Sequence, residues 1–529
     1  MIRIELQLNA GYRWHSENNI FVKGFALDCD DHILTEKDLL SFFQNITDFS
    51  DFKNKLSRLN GIFSVIINKN GTLWAAVDRL RTFPLLYYYQ NDQLIVSDDY
   101  RRIASNIDTE IDKISAKTLK HFGYVTGKHT LLDDVWQLQA GDCLAFENNT
   151  LKVENWHNWP CRTNNELSRQ KCKKVLLNKI TTVGGRLAEI AKDRPVAIPL
   201  SGGFDSRLIA FLLKLYGHED VVCFTYGNPE FWEAKASKKI AEKLGYEWIM
   251  IDYKTFLNDH FSSSKTFLDY ADFAGDAVSF PYLVEYFAAK YLKTEYKLPE
   301  NTLFVPGHSG DTIAGSHLYP DMRRFKTKKS LATKILRKNG AQLPYKSSDR
   351  KFLISETIKD VHPERFDYSH LAHDDWNIIQ RQSKQIINSS KIWDYFGYQF
   401  IHPLWDNDLT DFCLSMPFDF RVNKNLYDET LCELFAEYDL LISYDKPQTA
   451  AQKRKTFLKL QIKEKFPWIE LLKEDYSIKN SDDFFYYEAF LKPLKEQLPF
   501  FKYNQGNAVM SVWYIQHVQE TIEQLKNKF

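Results

Sequence analysis

An antiparallel α+β unit, then a doubly wound parallel α/β unit with a largely helical C-terminal part, is the fold class that these 529 residues predict. Three observations carry it. Over residues 1–155 short apolar runs are separated by turn formers, as in an antiparallel sheet. From Pro195 to Pro306 apolar runs alternate with helical spacings, the pattern of a parallel sheet covered by helices on both faces. From His317 onward helical spacing dominates.

In chain order, Met1-Ile-Arg-Ile-Glu-Leu-Gln-Leu alternates like a strand and has no charged-then-apolar leader pattern. Gly61-Ile-Phe-Ser-Val-Ile-Ile-Asn reads as a buried strand, and Lys69-Asn-Gly-Thr as a tight hairpin turn into Leu73–Asp78. Pro84–Tyr89 and Gln93–Ser97 form a second pair, Glu110–Phe122 has helical spacing, and Gly141–Phe146 is a late strand. Residues 156–170 are rich in turn formers and read as a linker between a first domain, 1–155, and a second, 171–529. A helix is expected from Lys171 to Lys192. Strands then follow at Pro195–Leu200, Val221–Tyr226, Trp248–Asp252 and from Thr302, with helices at Ser206–Tyr216 and Phe231–Leu244 between them.

Composition narrows the function classes. Lys+Arg and Asp+Glu both number 69, which argues against a strongly basic nucleic-acid binder. No apolar run approaches the ~20 residues of a membrane helix. The seven cysteines are scattered with no CxxC pair, which fits reduced thiols in the cytoplasm and not a disulfide scaffold or cysteine zinc site. Aromatics at 15% fit bulky cores, with sugar-stacking platforms as the other reading.

Leu200-Ser201-Gly202-Gly203-Phe204-Asp205-Ser206 joins the first parallel strand to its helix. The glycines permit close backbone approach to an anion, Ser201 and Ser206 add hydroxyls, and the helix presents free N–H groups and the positive end of its dipole. Asp205 would repel phosphate and makes sense as a magnesium ligand. A bare glycine turn is the bland alternative. No Gly-Lys-Ser/Thr follows, so this is not a kinase-type P-loop. A second small-residue loop, Pro306-Gly307-His308-Ser309-Gly310-Asp311, closes the strand that begins near Thr302, and Asp311 could give the metal a second carboxylate. His308 is a candidate base near neutral pH, against the bland reading of a structural donor.

SGGFDS resembles the signature of the N-type ATP pyrophosphatases, and the wider pattern is similar to the asparagine synthetase and β-lactam synthetase superfamily. The resemblance implies that ATP and Mg²⁺ are used, that ATP is cut between its α and β phosphates, and that a carboxylate becomes an acyl-adenylate passed to an amine. It implies that Leu200, Ser201, Gly202, Gly203, Asp205 and Ser206 cradle the nucleotide with Gly307, Ser309 and Gly310. Phe224, Thr225 and Tyr226 would line the adenine pocket, mostly through backbone groups. His308 stands where the family has Glu or Tyr, near the incoming amine. Tyr398–Asp406 resembles the family's Glu-x-x-x-Pro-Phe-Leu-Asp segment, with Gln399 in the place of the Glu, so a Glu-assisted mechanism is not implied. Lys446 falls roughly where the family keeps a lysine for the negative transition state, with Lys453 and Lys455 as competitors.

Leu59–Ile67 through Asp78–Tyr88 resembles the class II glutamine amidotransferase domain, an Ntn-like fold in which a Cys after the initiator Met is the nucleophile. Here that position is Ile2, and the nearest cysteine is Cys29. The expectation is therefore an amide-forming ligase without glutaminase, acting on small-molecule carboxylate and amine substrates, among them a uronic acid or another specialised metabolite. A catalytically impaired nucleotide-binding homologue is the alternative. tRNA-thiolation chemistry would want catalytic cysteines and a basic face. Oligomeric state and substrate identity are open at this stage.

Overall fold

A computed structural model describes residues 1–7, 11–324, 327–340, 342–343, 346–443, 484–502 and 506–527. The strands up to Asn155 build two sheets. The first has the order β1-β8-β7-β9 (Ile2–Glu5, Gln93–Ser97, Leu86–Gln90, Val135–Gln137). The second runs β11-β10-β6-β5-β3-β2 (Thr150–Asn155, Asp142–Glu147, Thr72–Val77, Asn60–Lys69, Ile20–Leu27, His15–Glu17), with β4 (Ile33–Thr35) on β3. The hairpin at Asn70-Gly71 has φ 52° and 80°, the left-handed pair that the twist of a two-residue connection demands. Ile66, Val77, Tyr87 and Val96 are among the apolar side chains packed between the two sheets. Phe43, Phe52 and Leu56, from or beside the helices Glu36–Phe42 and Phe49–Leu56, cover the outer face of the second.

Three expectations need correction. The first unit is not wholly antiparallel: Ile2–Glu5 pairs in parallel with Leu94–Ser97. A chain's own alternation marks a strand but not the direction of its neighbour. The helix expected from Glu110 begins at Lys113, because Asp112 caps it by accepting from the Ser115 N–H at 2.6 Å. The strand expected from Thr302 shrinks to two residues, β15 (Leu303–Phe304), and it pairs with a strand that went unread, β16 (Gln399–Phe400).

The second unit is a five-stranded parallel sheet in the order β14-β13-β12-β15-β16, with β12 at Val196–Pro199, β13 at Val221–Gly227 and β14 at Glu247–Asp252. The chain winds outward one way from β12 and then returns to its other side at β15. That reversal opens a crevice at the carboxyl ends of β12 and β15, where ligands of such sheets bind. The helix Phe204–Leu215 leaves β12, and the long helix Arg169–Ala191 precedes it.

One apolar core runs through both units, from Tyr12, Phe25 and Ile62 to Leu208, Phe304, Phe400 and Val518. Polar bonds reinforce the seam. The Tyr12 N–H donates to Asp394 Oδ1 at 2.6 Å and the Tyr12 hydroxyl to the Phe400 carbonyl at 2.7 Å. The Val125 N–H donates to the Val278 carbonyl at 2.7 Å. Among the described residues no helix is long and apolar enough to cross a membrane.

Candidate functional site

Both glycine loops meet in the crevice. The Ser201 and Ser206 hydroxyls lie 3.2 Å apart, and each also accepts a loop N–H: Ser206 Oγ from Ser201 at 3.1 Å, Ser201 Oγ from Gly203 at 3.2 Å. The second loop packs onto this one with no room for side chains. A Cβ on Gly307 would lie 2.6 Å from the Ser206 nitrogen, and one on Gly310 would lie 2.8 Å from the Asp205 carboxyl.

Asp205 Oδ2 accepts the Asp311 N–H at 2.8 Å, and Oδ1 accepts the Tyr427 hydroxyl at 3.1 Å. Burial, then the neighbouring Asp311 carboxylate, raises the Asp205 carboxyl to about 6. Asp311 is itself braced by the Ser316 hydroxyl at 2.9 Å. Two facing carboxylates at the mouth of a phosphate-type loop form a hard oxygen donor set that suits Mg²⁺, so the residues fit the ion that the sequence implied. One cation already faces them. Burial would lower the Lys424 ammonium, yet Asp428 at 3.2 Å, Asp205 and Asp311 hold it raised.

These groups line a cavity of about 360 Å³ shared by Ser201, Ser206, Tyr226, Glu285, His308, Ser309, Arg381 and Gln382. Four buried polar atoms on its wall have no partner: Glu285 Oε2, His308 Nδ1, Ser309 Oγ and Gln382 Oε1. Native interiors leave few such atoms unpaired, so their convergence on one cavity marks a place where a ligand completes them.

Other expected residues land elsewhere. Phe224 packs edge-on against Phe304 and Trp393 inside the core, and its carbonyl accepts the Leu200 N–H at 2.8 Å. The Thr225 hydroxyl is spent on the Leu200 carbonyl at 2.8 Å and on Ser237. Of that strand only Tyr226 reaches the cavity, with its hydroxyl on Glu285 Oε1 at 3.0 Å. Gln399 is a correction. It sits at the start of β16 opposite Leu303, where its Oε1 accepts from Arg194 at 2.9 Å, at the end of the sheet away from the loops. Three residues on, roughly 10 Å along an extended chain, His402 arrives beside His308 with ring centroids 6.1 Å apart. Burial lowers His308 to about 4, with Asp311 opposing, and holds His402 well below its ordinary value. Lys446, Lys453 and Lys455 lie outside the described residues.

Glu285, Tyr427, Lys424, Arg381 and Gln382 went unread in the sequence, because they come from three stretches far apart in the chain, around residues 285, 381 and 425, and no spacing links those stretches. Behind the second loop stands a buried network: Arg421 donates to both oxygens of Asp374 at 2.6 and 3.1 Å and to the Ile313 carbonyl, while His317 Nε2 meets Asp374 Oδ1 at 2.6 Å.

The family model described as asparagine synthase matches residues 187–441, spanning both loops, the Asp pair and Lys424. The model described as glutamine amidotransferase domain matches residues 49–157. The chain belongs to the asparagine synthetase superfamily. A relative from Methanocaldococcus jannaschii with the provisional name asparagine synthetase (glutamine-hydrolyzing) 2 is 23% identical over 337 residues. The match spans 59% of this chain and 61% of the relative, so about two fifths of each of the two lies outside it. Among solved structures, an NH3-dependent NAD synthetase from Campylobacter jejuni is 17% identical with a TM-score of 0.20, covering 37% of this chain and 95% of that one. A glutamine phosphoribosylpyrophosphate amidotransferase from B. subtilis is 12% identical with a TM-score of 0.18, covering 62% and 61%.

Glu285 yields a stability prediction. Burial raises its carboxyl from an ordinary 4.5 to about 7, against the lowering effect of the Tyr226 hydroxyl. The fold therefore favours the protonated acid, and its ionisation costs stability as pH rises from 4.5 through 7. Glu285→Gln keeps an acceptor for Tyr226 and removes that cost, about 3 kcal/mol. Thermal denaturation of the variant should show a higher Tm at pH 8 and no change at pH 4; an equal shift at both would point to packing instead.

Proposed function

We propose that this protein is an ATP- and Mg²⁺-dependent carbon–nitrogen ligase that adenylates a small-molecule carboxylate, releases pyrophosphate and passes the acyl group to an amine. The observation that carries the reading is the Asp205–Asp311 pair between two glycine loops at the sheet's switch point. Ser201, Ser206 and the first-turn N–H groups of Phe204–Leu215 hold the phosphates, and Asp205 and Asp311 hold the metal. Bound Mg²⁺ neutralises the polyphosphate and draws electron density from the phosphorus under attack.

Tyr226 walls the nucleotide side of the cavity. Lys424 offsets negative charge as the carboxylate approaches the α-phosphate, the role that the family resemblance suggested for Lys446, Lys453 or Lys455. His308, an uncharged imidazole at neutral pH, accepts the proton that the amine loses when it attacks the acyl carbon and the acyl–oxygen bond breaks to release AMP, with His402 packed beside it.

The amine does not come from glutamine in this reading. Position 2 is Ile2, Cys29 is exposed on a loop, and the buried Cys143 has its thiol pushed up to about 12 by burial. Residues 1–155 then serve as scaffold for residues 171–529, in a cytoplasmic enzyme with reduced thiols.

The test is pyrophosphate release from ATP and Mg²⁺ in the presence of pooled uronic acids, amino acids and amines. Release that depends on an added acid supports the ligase. Tight nucleotide binding with no release from any pool would favour the impaired homologue instead.

A further inference from the structure

We propose that a second cavity, in the seam between the two units, binds a small oxyanion with an apolar body on the Arg194 guanidinium. The inference stands apart from the ligase reading, because the site lies at the opposite end of the parallel sheet from the glycine loops.

The cavity measures about 200 Å³. Arg13, Phe25 and Ile33 line it from the first unit, and Arg194, Leu303 and Gln399 from the second. Leu303 and Gln399 are register partners at the starts of β15 and β16. The far ends of those two strands lead to the His308 loop and to His402. The seam cavity and the loop cavity thus lie at opposite ends of one strand pair.

Arg194 is half-buried, and both of its hydrogen-bond partners are neutral. Its Nε donates to the Asn301 carbonyl at 3.0 Å and its Nη1 to Gln399 Oε1 at 2.9 Å. Its Nη2 has no hydrogen bond, and the guanidinium no ion pair, among the described residues. Burial lowers the guanidinium against the Tyr12 phenol alone, a group that burial itself keeps protonated. A partly desolvated cation in this position is stabilised by an anion that enters beside it.

Gln399 sharpens the point. A carboxylate of the same shape would neutralise Arg194 from within the protein, as Asp374 does for Arg421. An amide leaves the charge to be met from the cavity. Exposed Arg13 adds a second cation, with no ion pair among the described residues. The one acidic residue of the lining, Glu36, is turned to His15, 3.5 Å from its Nε2. A guanidinium takes two oxygens of a carboxylate or phosphate in its plane. Phe25, Ile33, Leu303 and Ile401 offer an apolar wall to the body behind them. The volume, below the roughly 300 Å³ at which ligand sites usually begin, keeps that body short.

Calorimetric titrations of the full chain test the site. The probes are 4-methylpentanoate against its amide, 3-phenylpropanoate against its amide, 3-methylbutyl phosphate against 3-methylbutanol, and acetate. At least one acid should bind tenfold or more tightly than both its neutral partner and acetate. Whether that acid is a carboxylate or the phosphate identifies the head group. Arg194→Met should erase the preference. Gln399→Glu, which gives Arg194 an internal counter-ion, should erase it too, with a melting temperature at or above the wild-type value. This second variant carries the test if Arg194→Met fails to fold. The preference should persist with saturating Mg²⁺ and α,β-methylene ATP, an analogue that cannot be cut between its α and β phosphates. Four results would overturn the proposal: no acid preference in the wild type, a preference that survives either substitution, acetate as tight as the best acid, or loss of the preference when the analogue is present. The last assigns the acid to the loop cavity. None of these titrations needs pyrophosphate release, so failure of the ligase reading leaves the test intact.

Discussion

Asp205→Asn is expected to lower acid-dependent pyrophosphate release by two to three orders of magnitude, the usual loss when one preorganised electrostatic group leaves a reacting centre (~10²–10³), and at the same time to raise the melting temperature of the ligand-free protein. The amide can still accept the Asp311 N–H that Oδ2 now takes at 2.8 Å and still meet the Tyr427 hydroxyl, so the loop pairing survives. What disappears is a charge that burial and Asp311 both oppose. Lys424 offsets it only in part, and a divalent cation would supply the rest in the loaded protein. Sites of this kind trade stability for function. Coupled pyrophosphate detection and differential scanning fluorimetry read the two effects separately. An asparagine variant with wild-type release would remove Asp205 from the metal site.

Asp374→Ala should be the most damaging single change away from the cavity. Arg421 is completely buried, and Asp374 neutralises it through both carboxylate oxygens. Removing one partner of a buried ion pair leaves the other charge stranded, at a cost of about 3–5 kcal/mol. Burial alone would raise the Asp374 carboxyl, but Arg421 and His317 outweigh it and hold the group well below the usual carboxylate range. Its contribution is therefore present above the ordinary carboxylate range and is lost as the solution is acidified below it. Chemical denaturation should show a large fall in the midpoint for Asp374→Ala and a smaller one for Asp374→Asn, which keeps an acceptor for Arg421. Because Arg421 also holds the Ile313 carbonyl just behind Asp311, the alanine variant should lose Mg²⁺-dependent activity even at temperatures where it is folded. Unchanged stability would mean that the network is relaxed by water or by His373, which stacks on His317.

Both glycine loops were legible in the chain because small residues at the end of an apolar run carry their own explanation: Gly307 is needed where one backbone touches another, and Gly310 where the chain passes the Asp205 carboxyl and the Tyr427 hydroxyl. Gln399 misled because a family segment gives position along the chain but not which end of a two-residue strand a side chain occupies. Strand β3 was missed since Lys23 and Gly24 interrupt its apolar run; in the structure Lys23 is buried beside Asp98 and Asp394, and Gly24 has φ 99°. Arg381 was hidden for a different reason. A helical reading assumes 3.6 residues per turn, and the π-helical segment Asn377–Ile387 shifts the faces of every residue after Trp376.

The double attachment of that segment has an evolutionary consequence. One side of Asn377–Ile387 meets the cavity, while Lys384 and Gln380 on the other grip the loop around Val125 and Gly127. A change on the cavity side of this segment must therefore be accommodated in a loop that does not line the cavity. Second-site suppressors of mutations in the π segment are expected at residues 124–127, and grafting the segment into a relative without its matching loop should transfer little. The amidotransferase-like unit is then expected to change in step with the cavity of its neighbour.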